Sequence, residues 1–160
     1  ALIRSCIELL QHRYLIDGIA LSEDYADNLP PVFCNPQQIQ QVLLNVFSNA
    51  RYALNERYPS AHPDKLIALA AFPMDQEQRS VVRITVTDYG TGIEHDLIDR
   101  LMDPFFSTKS KGEGTGLGLS ISHSLIRENR GHFRIKSQWG KWTTVIIDLP
   151  TADERTERNA

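Results

Sequence analysis

Asn45 and Asn49 stand four residues apart in the stretch "NPQQIQQVLLNVFSNARYAL". On a helix that spacing stacks both carboxamides on one side. There they can offer oxygen to a hard cation and hydrogen bonds to a phosphate. A solvated polar flank is the plainer reading of the same pair. Further on, "DYGTG" sets Asp88 ahead of Gly90 and Gly92. A carboxylate there can accept a hydrogen bond from an exocyclic amine such as adenine's, and the glycines let a flat ring pass close to the backbone. A tight Asp-x-Gly turn would use the same residues. "DPFFSTK" offers Phe105 and Phe106 as apolar anchors and Ser107, Thr108 and Lys109 as phosphate contacts, or equally a core aromatic pair beside a surface lysine. The fourth segment, "GEGTGLGLSIS", gathers four of the nine glycines into residues 112–118. Glycine inside a helix or strand costs about 0.5–1 kcal/mol relative to alanine. Such a cluster therefore suits unusual dihedrals, a close approach to a ligand, or motion, with a flexible linker as the alternative. The helix that follows, "LGLSISHSLIREN", turns its free N–H groups and positive dipole end back toward the loop, which attracts phosphate.

These segments must be carried by a folded scaffold. Residues 2–15 show a helical apolar period through Leu2, Ile3, Cys6, Ile7, Leu9 and Leu10. "GIALSEDYA" reads as a strand, and a short second strand is expected around Val32–Cys34. The asparagine-bearing segment is the strongest helix, with Asn35 as N-cap and Pro36 at its first position. Ile39, Val42, Leu43, Val46, Ala50, Ala53 and Leu54 form one apolar stripe along it. Leu66–Phe72 and Ser80–Thr87 read as a hairpin around the polar turn "PMDQEQR", so that Asp88 ends a half-buried strand. A short helix near residues 94–102, the glycine loop and its helix, then the antiparallel pair "HFRIKSQ" and "WTTVIIDLP" complete the order. Regular strand–helix alternation is missing. The expected class is α+β, a two-layer sandwich with a mixed, mostly antiparallel sheet and helices on one face. Residues 1–150 form one domain in this reading, and 151–160 a polar, flexible tail.

Composition narrows the functions. The chain has 160 residues, 41% hydrophobic and 23% charged, as soluble globular domains do. Net charge is −3 with no basic arm or stripe, which gives no electrostatic case for nucleic acid. Cys6 and Cys34 fit neither a disulfide framework nor a metal-ligand spacing, in keeping with a reducing cytoplasm. The longest apolar run, "LIALAAF", is far short of the ~20 residues needed to cross a bilayer, so no direct membrane contact is expected.

Taken in order, Asn-x-x-x-Asn, Asp-x-Gly-x-Gly, Phe-Phe-x-Thr-Lys and Gly-x-Gly-x-Gly-Leu resemble the N, G1, F and G2 boxes of the catalytic, ATP-binding domain of sensor histidine kinases. The resemblance runs from the first helix to "DLP" at residues 148–150, and "NARYAL" with the short lid looks like the branch that holds the nitrogen-regulation kinases. It implies the Bergerat-type ATP fold shared with gyrase, Hsp90 and MutL ATPases. It implies Asn49 as the Mg²⁺ ligand, Asn45 one turn back near the phosphates, and Asp88 on the adenine amine with Gly90 and Gly92 shaping the pocket. Thr108 and Lys109 are implied at the phosphate tail, Lys109 with Asn45 in the catalytic set. Gly114, Gly116 and Gly118 are implied as lid hinge and phosphate loop, with Thr115, Leu117 and Leu119 supplying backbone N–H donors. Thr143 in "GKWTTV" matches a threonine that supports the adenine-binding aspartate.

Three points refine that expectation. The gyrase-like relatives carry a glutamate general base where this chain has Asn45, which takes no proton at neutral pH. This favours a kinase over an efficient ATPase. Trp142 stands where the family usually has glycine. Of the five histidines only His95 is followed by an acidic residue, as a phosphoacceptor usually is, and it lies in the short stretch after "DYGTG", not on a long helix of a dimerisation domain. The expected partners are therefore ATP, a dimerisation domain bearing the histidine outside this chain, and a downstream response regulator. The alternative is a degenerate module that binds nucleotide without phosphotransfer. A cytoplasmic location is expected for the domain, its parent protein being free or anchored in the inner membrane.

Overall fold

The computed structural model describes residues 2–76, 79–106 and 116–152. Helix α1 (Leu2–Asp17) leads to strand β1 (Ala20–Tyr25), then helix α2 (Pro36–Arg57). Strands β2 (Leu66–Gln76) and β3 (Arg79–Asp88) follow, then the short α3 (His95–Ile98) with a 3₁₀ turn at Asp99–Met102. Helix α4 (Gly118–Glu128) and strands β4 (His132–Gln138) and β5 (Trp142–Pro150) finish the domain. The sheet order is β1-β2-β3-β5-β4, with β1 parallel to β2 and every other pair antiparallel. The core joins α1, α2 and α4 to Ile67 and Leu69 of β2, Ile84 and Val86 of β3, and Val145 and Ile147 of β5. This is the α+β, two-layer architecture expected from the sequence. Among the described residues no helix is long and apolar enough to cross a membrane.

The cap of α2 explains both where that helix starts and how it is aimed. Asn35 has an extended backbone, and its side chain accepts from the N–H groups of Gln37 and Gln38. Its own N–H donates to Asn129 Oδ1 at 2.6 Å, and Asn129 Nδ2 donates to Gln38 Oε1 and to Leu125 O, each at 2.7 Å. The start of α2 is thereby stitched to the end of α4. Tyr14 O–H donates to Phe47 O, and Asp17 accepts from Arg51 and Asn55, which fixes α1 along the same helix. Burial alone would raise the Asp17 carboxyl. Hydrogen bonds from Arg51 and Asn55, with the charges of Arg51 and Lys65, more than offset that and hold it below its usual range.

The structure amends several local expectations. Phe47 joins the buried stripe of α2 while Ala53 is only half-buried, because α2 packs on α1 and α4 as well as on the sheet and its buried arc is wider. Leu9 lies mostly exposed on α1. The expected turn "PMDQEQR" is largely strand, with Pro73, Met74 and Asp75 pairing with Val82, Val81 and Ser80. Pro73 is tolerated because β1 ends opposite Ala71, so the proline faces an open edge where no N–H is needed. The strand expected near Val32–Cys34 shrinks to a single bridge, Val32 to Thr151. Pro30–Pro31 before it and the Asn35 cap after it leave no room for a ladder. The tail expected from residue 151 begins bound: Thr151 N–H donates to Ser80 O and Ala152 N–H to Pro31 O.

On the far face of the sheet, Thr87 and Thr144 hydroxyls meet at 2.8 Å. Four positions along the same face Asp148, fully buried, accepts from Arg83 through both carboxylate oxygens and from Arg134. That triad holds β3, β5 and β4 together, away from the cavity on the helical side.

Candidate nucleotide-binding site

One cavity of about 270 Å³ opens between α2, the ends of β3 and β5, and the start of α4. Of the residues singled out in the sequence, Asn45, Asn49, Asp88, Gly92, Gly116, Gly118, Leu119 and Thr143 line it. Ser107, Thr108, Lys109, Gly112, Gly114 and Thr115 lie outside the described residues.

Asp88 ends β3, is 6% exposed, and sits directly opposite Thr143 of β5. Burial pushes its carboxyl up to about 7, and the N–H of Gly90, donating to Oδ1 at 3.0 Å, acts in the opposite direction. A buried acceptor with one local donor still has lone pairs to offer to an incoming N–H. Val86, Val145 and Ile135 give the same cavity an apolar lining, and α2 adds Val46, Ala50 and Ala53. Such a slot takes a flat heterocycle by its faces while the carboxylate reads its edge.

The two glycines after Asp88 are steric requirements. A Cβ on Gly90 would lie 2.6 Å from the Ala53 backbone, and one on Gly92 only 2.2 Å from Gln138 O. Gly92 also has φ +67, a left-handed conformation suited to glycine. Gly90 does not line the cavity itself; it orients Asp88 and packs behind it.

Asn45 and Asn49 are both half-buried at the other end of the cavity. Asn45 Nδ2 donates to Ser122 Oγ at 3.0 Å. Helix α4 begins at Gly118 without a side-chain cap, and Gly118 and Leu119 face the same space. Leu117 precedes them as the helix N-cap and does not line the cavity; its carbonyl accepts from Ile121 N–H and Ser120 Oγ. Among the described residues no group of three or more His, Cys, Asp or Glu could hold a metal. The carboxamide oxygen of Asn49 is a hard donor of the type that cations such as Mg²⁺ take, and any further oxygens would have to come from a bound ligand or water.

The aromatic pair divides. Phe106 lines the cavity with Arg100 stacked 4.4 Å above its ring. Phe105 has φ +65 and is 77% exposed, so it is no core anchor. Gly116, φ +70, packs so closely on the Phe105 backbone that a Cβ would lie 2.5 Å from its carbonyl carbon. Trp142 leaves the ladder regular and Thr143 in register with Asp88.

Sequence reasoning missed Ser137. Its hydroxyl donates to Trp142 O at 2.7 Å, accepts from Ile93 N–H at 2.8 Å, and lies 2.9 Å from Thr143 Oγ1. It thus fixes the Thr143 hydroxyl and the segment after Gly92 together. One signal was available: Phe133, Ile135 and Ser137 share a face of β4, so a hydroxyl stands where the alternation calls for an apolar residue.

Comparison with known proteins follows the same outline. The model of the histidine kinase-, DNA gyrase B- and HSP90-like ATPase family matches residues 34–153. Sporulation kinase E of Bacillus subtilis (strain 168) is 33% identical over 158 residues, covering 98% of this chain and 20% of that protein. The sensory histidine kinase/phosphatase NtrB of Salmonella typhimurium (strain LT2) is 37% identical over 139 residues, covering 85% of this chain and 38% of its own. The crystal structure of full-length ShkA in complex with AMPPNP superposes with a TM-score of 0.77 at 25% identity, over 94% of this chain and 30% of that one. The chain spans well under half the length of these relatives.

Proposed function

Since the chain belongs to the histidine kinase-, DNA gyrase B- and HSP90-like ATPase family, we propose that its cavity binds ATP with Mg²⁺ and presents the γ-phosphoryl group to a histidine on a dimerisation domain outside this chain, within a two-component sensor kinase that acts on a response regulator. The observation that carries this reading is the polarity of one cavity: a buried carboxylate, Asp88, at the apolar end and two carboxamides with a helix start at the other. Similarity to named sensor kinases over nearly the whole chain supports it.

In this reading Asp88 accepts the adenine amine, and Thr143, held by Ser137, supports it from the facing strand. Gly92 lets the loop come close to the base, while Gly90 holds Asp88 from behind. Asn49 holds the cation, which when bound supplies charge neutralisation between the phosphates. Gly116, Gly118 and Leu119 bring backbone to the phosphate end; the family resemblance assigns Thr108, Lys109, Gly114, Thr115 and Leu117 to the same task. Asn45 gives no proton acceptor for water, so the bound nucleotide is kept for a phosphoacceptor.

Two measurements test this. Calorimetric titration of the folded chain with Mg²⁺ and a non-hydrolysable ATP analogue should show saturable binding; no heat of complexation would overturn the nucleotide reading. With the upstream helical domain added and γ-labelled ATP supplied, acid-labile phosphohistidine should form. Binding without transfer would instead mark a regulatory nucleotide module.

A further inference from the structure

Arg57, the last residue of α2, has a role that the box pattern does not assign. Its Nη1 lies 3.2 Å from Tyr89 O, 2.9 Å from Gly90 O and 3.0 Å from Lys141 O. The first two carbonyls belong to the loop that follows Asp88; the third belongs to the β4–β5 turn. The same two segments meet again where Gly140 N–H donates to Thr91 O at 2.7 Å and where Gly92 abuts Gln138 O. On its inner side the loop rests on the Ala53 backbone through Gly90. Residues 89–92 are therefore wedged between α2 and the β4–β5 turn, and the Arg57 side chain bonds both loops at once.

The electrostatics suit the task. A cation at the C-terminal end of a helix meets the negative end of its dipole, and three carbonyl dipoles add to that field. The guanidinium also lies 5.1 Å from the Tyr58 ring centroid, which helps orient its plane. The consequence reaches the carboxylate through one residue. Gly90 donates its N–H to Asp88 Oδ1 and accepts from Arg57 at its carbonyl. Holding that residue at both ends fixes which Asp88 oxygen is engaged and how high the loop stands over the slot.

We propose that Arg57 is a positioning residue for the purine end of the cavity, setting the 89–92 loop so that Asp88 selects adenine over other bases. The inference rests on the nucleotide reading of Asp88. It does not require Arg57 to touch the ligand.

A simple staple would lower stability and weaken every ligand alike; a positioning residue acts on the base alone. The experiment titrates the chain with Mg²⁺ and three probes: a non-hydrolysable ATP analogue, the matching GTP analogue and inorganic tripolyphosphate. Arg57→Gln should weaken the ATP analogue tenfold or more and shrink the ATP-over-GTP preference, while tripolyphosphate shifts less than twofold. Nη1 brings two N–H groups to the three carbonyls, one of them shared, so the three donors of a lysine ammonium can meet the same carbonyls without the stacking on Tyr58. Arg57→Lys should therefore restore most of the preference. Equal weakening of all three probes, unchanged ATP affinity, or no rescue by lysine would overturn the assignment. If the unmutated chain binds tripolyphosphate but neither nucleotide, the purine reading of Asp88 fails, and the role of Arg57 with it.

Discussion

Asn45 Nδ2 donates to Ser122 Oγ at 3.0 Å, and its Oδ1 occupies the space that a Cβ on Gly118 would need, 2.3 Å away. The first asparagine of the pair thus ties the middle of α2 to the first turns of α4, while the second stands one turn on. Whatever Asn45 does toward phosphate, it also sets where the helix start lies.

Ser122 is buried, so Ser122→Ala removes the acceptor for a part-buried amide donor. A loss of about 1–3 kcal/mol is expected for a polar group left without its partner. Urea unfolding should show a lower midpoint with an unchanged slope. Unaltered stability would mean that the contact contributes nothing.

Gly118→Ala tests the same junction from the other side. Gly118 is not in a left-handed conformation, and the atoms nearest to an added methyl group all belong to the Asn45 carboxamide. Asn45 would have to turn away and leave Ser122. The expected result is weaker binding of the magnesium–nucleotide complex than in the unmutated chain. Gly18→Ala is the control: it lies at the α1–β1 junction and does not line the cavity, and its φ of +65 predicts strain of about 1 kcal/mol or more without loss of affinity. Equal affinities for the two variants would sink the packing argument.

Asp148 predicts stability without function. Arg83, with a side chain 16% exposed, grips both carboxylate oxygens at 2.6 and 2.8 Å, and Arg134 adds a bond at 2.8 Å from a more exposed position. Asp148→Ala takes away the carboxylate that a mostly buried guanidinium grips with two bonds, for an expected loss of about 3–5 kcal/mol. Arg134→Ala should cost about 1 kcal/mol or less, as exposed pairs do. Where the Asp148 variant remains folded, nucleotide affinity should stay the same, because the triad lies on the sheet face away from the cavity. Thermal or chemical unfolding alongside one titration checks both parts.

The legible parts of this fold share a physical cause. Asn35–Pro36 and the apolar stripe specify α2 because caps and periodicity are local. "HFRIKSQ" and "WTTVIIDLP" appear as β4 and β5 with the bounds read from the sequence, because alternation and the tight turn between them are local too. The turn "PMDQEQR" misleads because Pro73 carries its usual meaning only where a neighbouring strand needs its N–H, and the end of β1 removes that neighbour. What Ser137 and Arg57 bond was not legible, for the opposite reason, even though the alternation of β4 singles out Ser137. Their importance lies in backbone groups of Ile93, Tyr89, Gly90 and Lys141, distant in sequence and brought together only by packing. The residues that line the cavity were legible as types in order, whereas their mutual support was not.

Asp88 gives the sharpest test, since one group predicts two pH dependences. With its carboxyl raised to about 7 in the folded protein, and near 3.9 in an unfolded chain, both states hold the proton below about pH 4. Between pH 4 and 7 the folded state keeps a proton that the unfolded state has lost, so this group's contribution falls as pH rises; above 7 the full penalty of a buried charge remains, on the order of a few kcal/mol. Asp88→Asn removes that penalty. The ligand-free variant should match the unmutated chain near pH 4 and exceed its stability by a margin that widens up to about pH 7. Nucleotide binding runs the other way, because the exocyclic amine needs the ionised acceptor. Affinity of the unmutated chain should fall by up to tenfold per unit as pH drops from 7 toward 5, and Asp88→Asn should lose tenfold or more at pH 8 while showing little of that slope. A stability difference that does not change with pH would mean that the carboxyl is not buried as described, and full affinity in the variant would remove Asp88 from the purine edge.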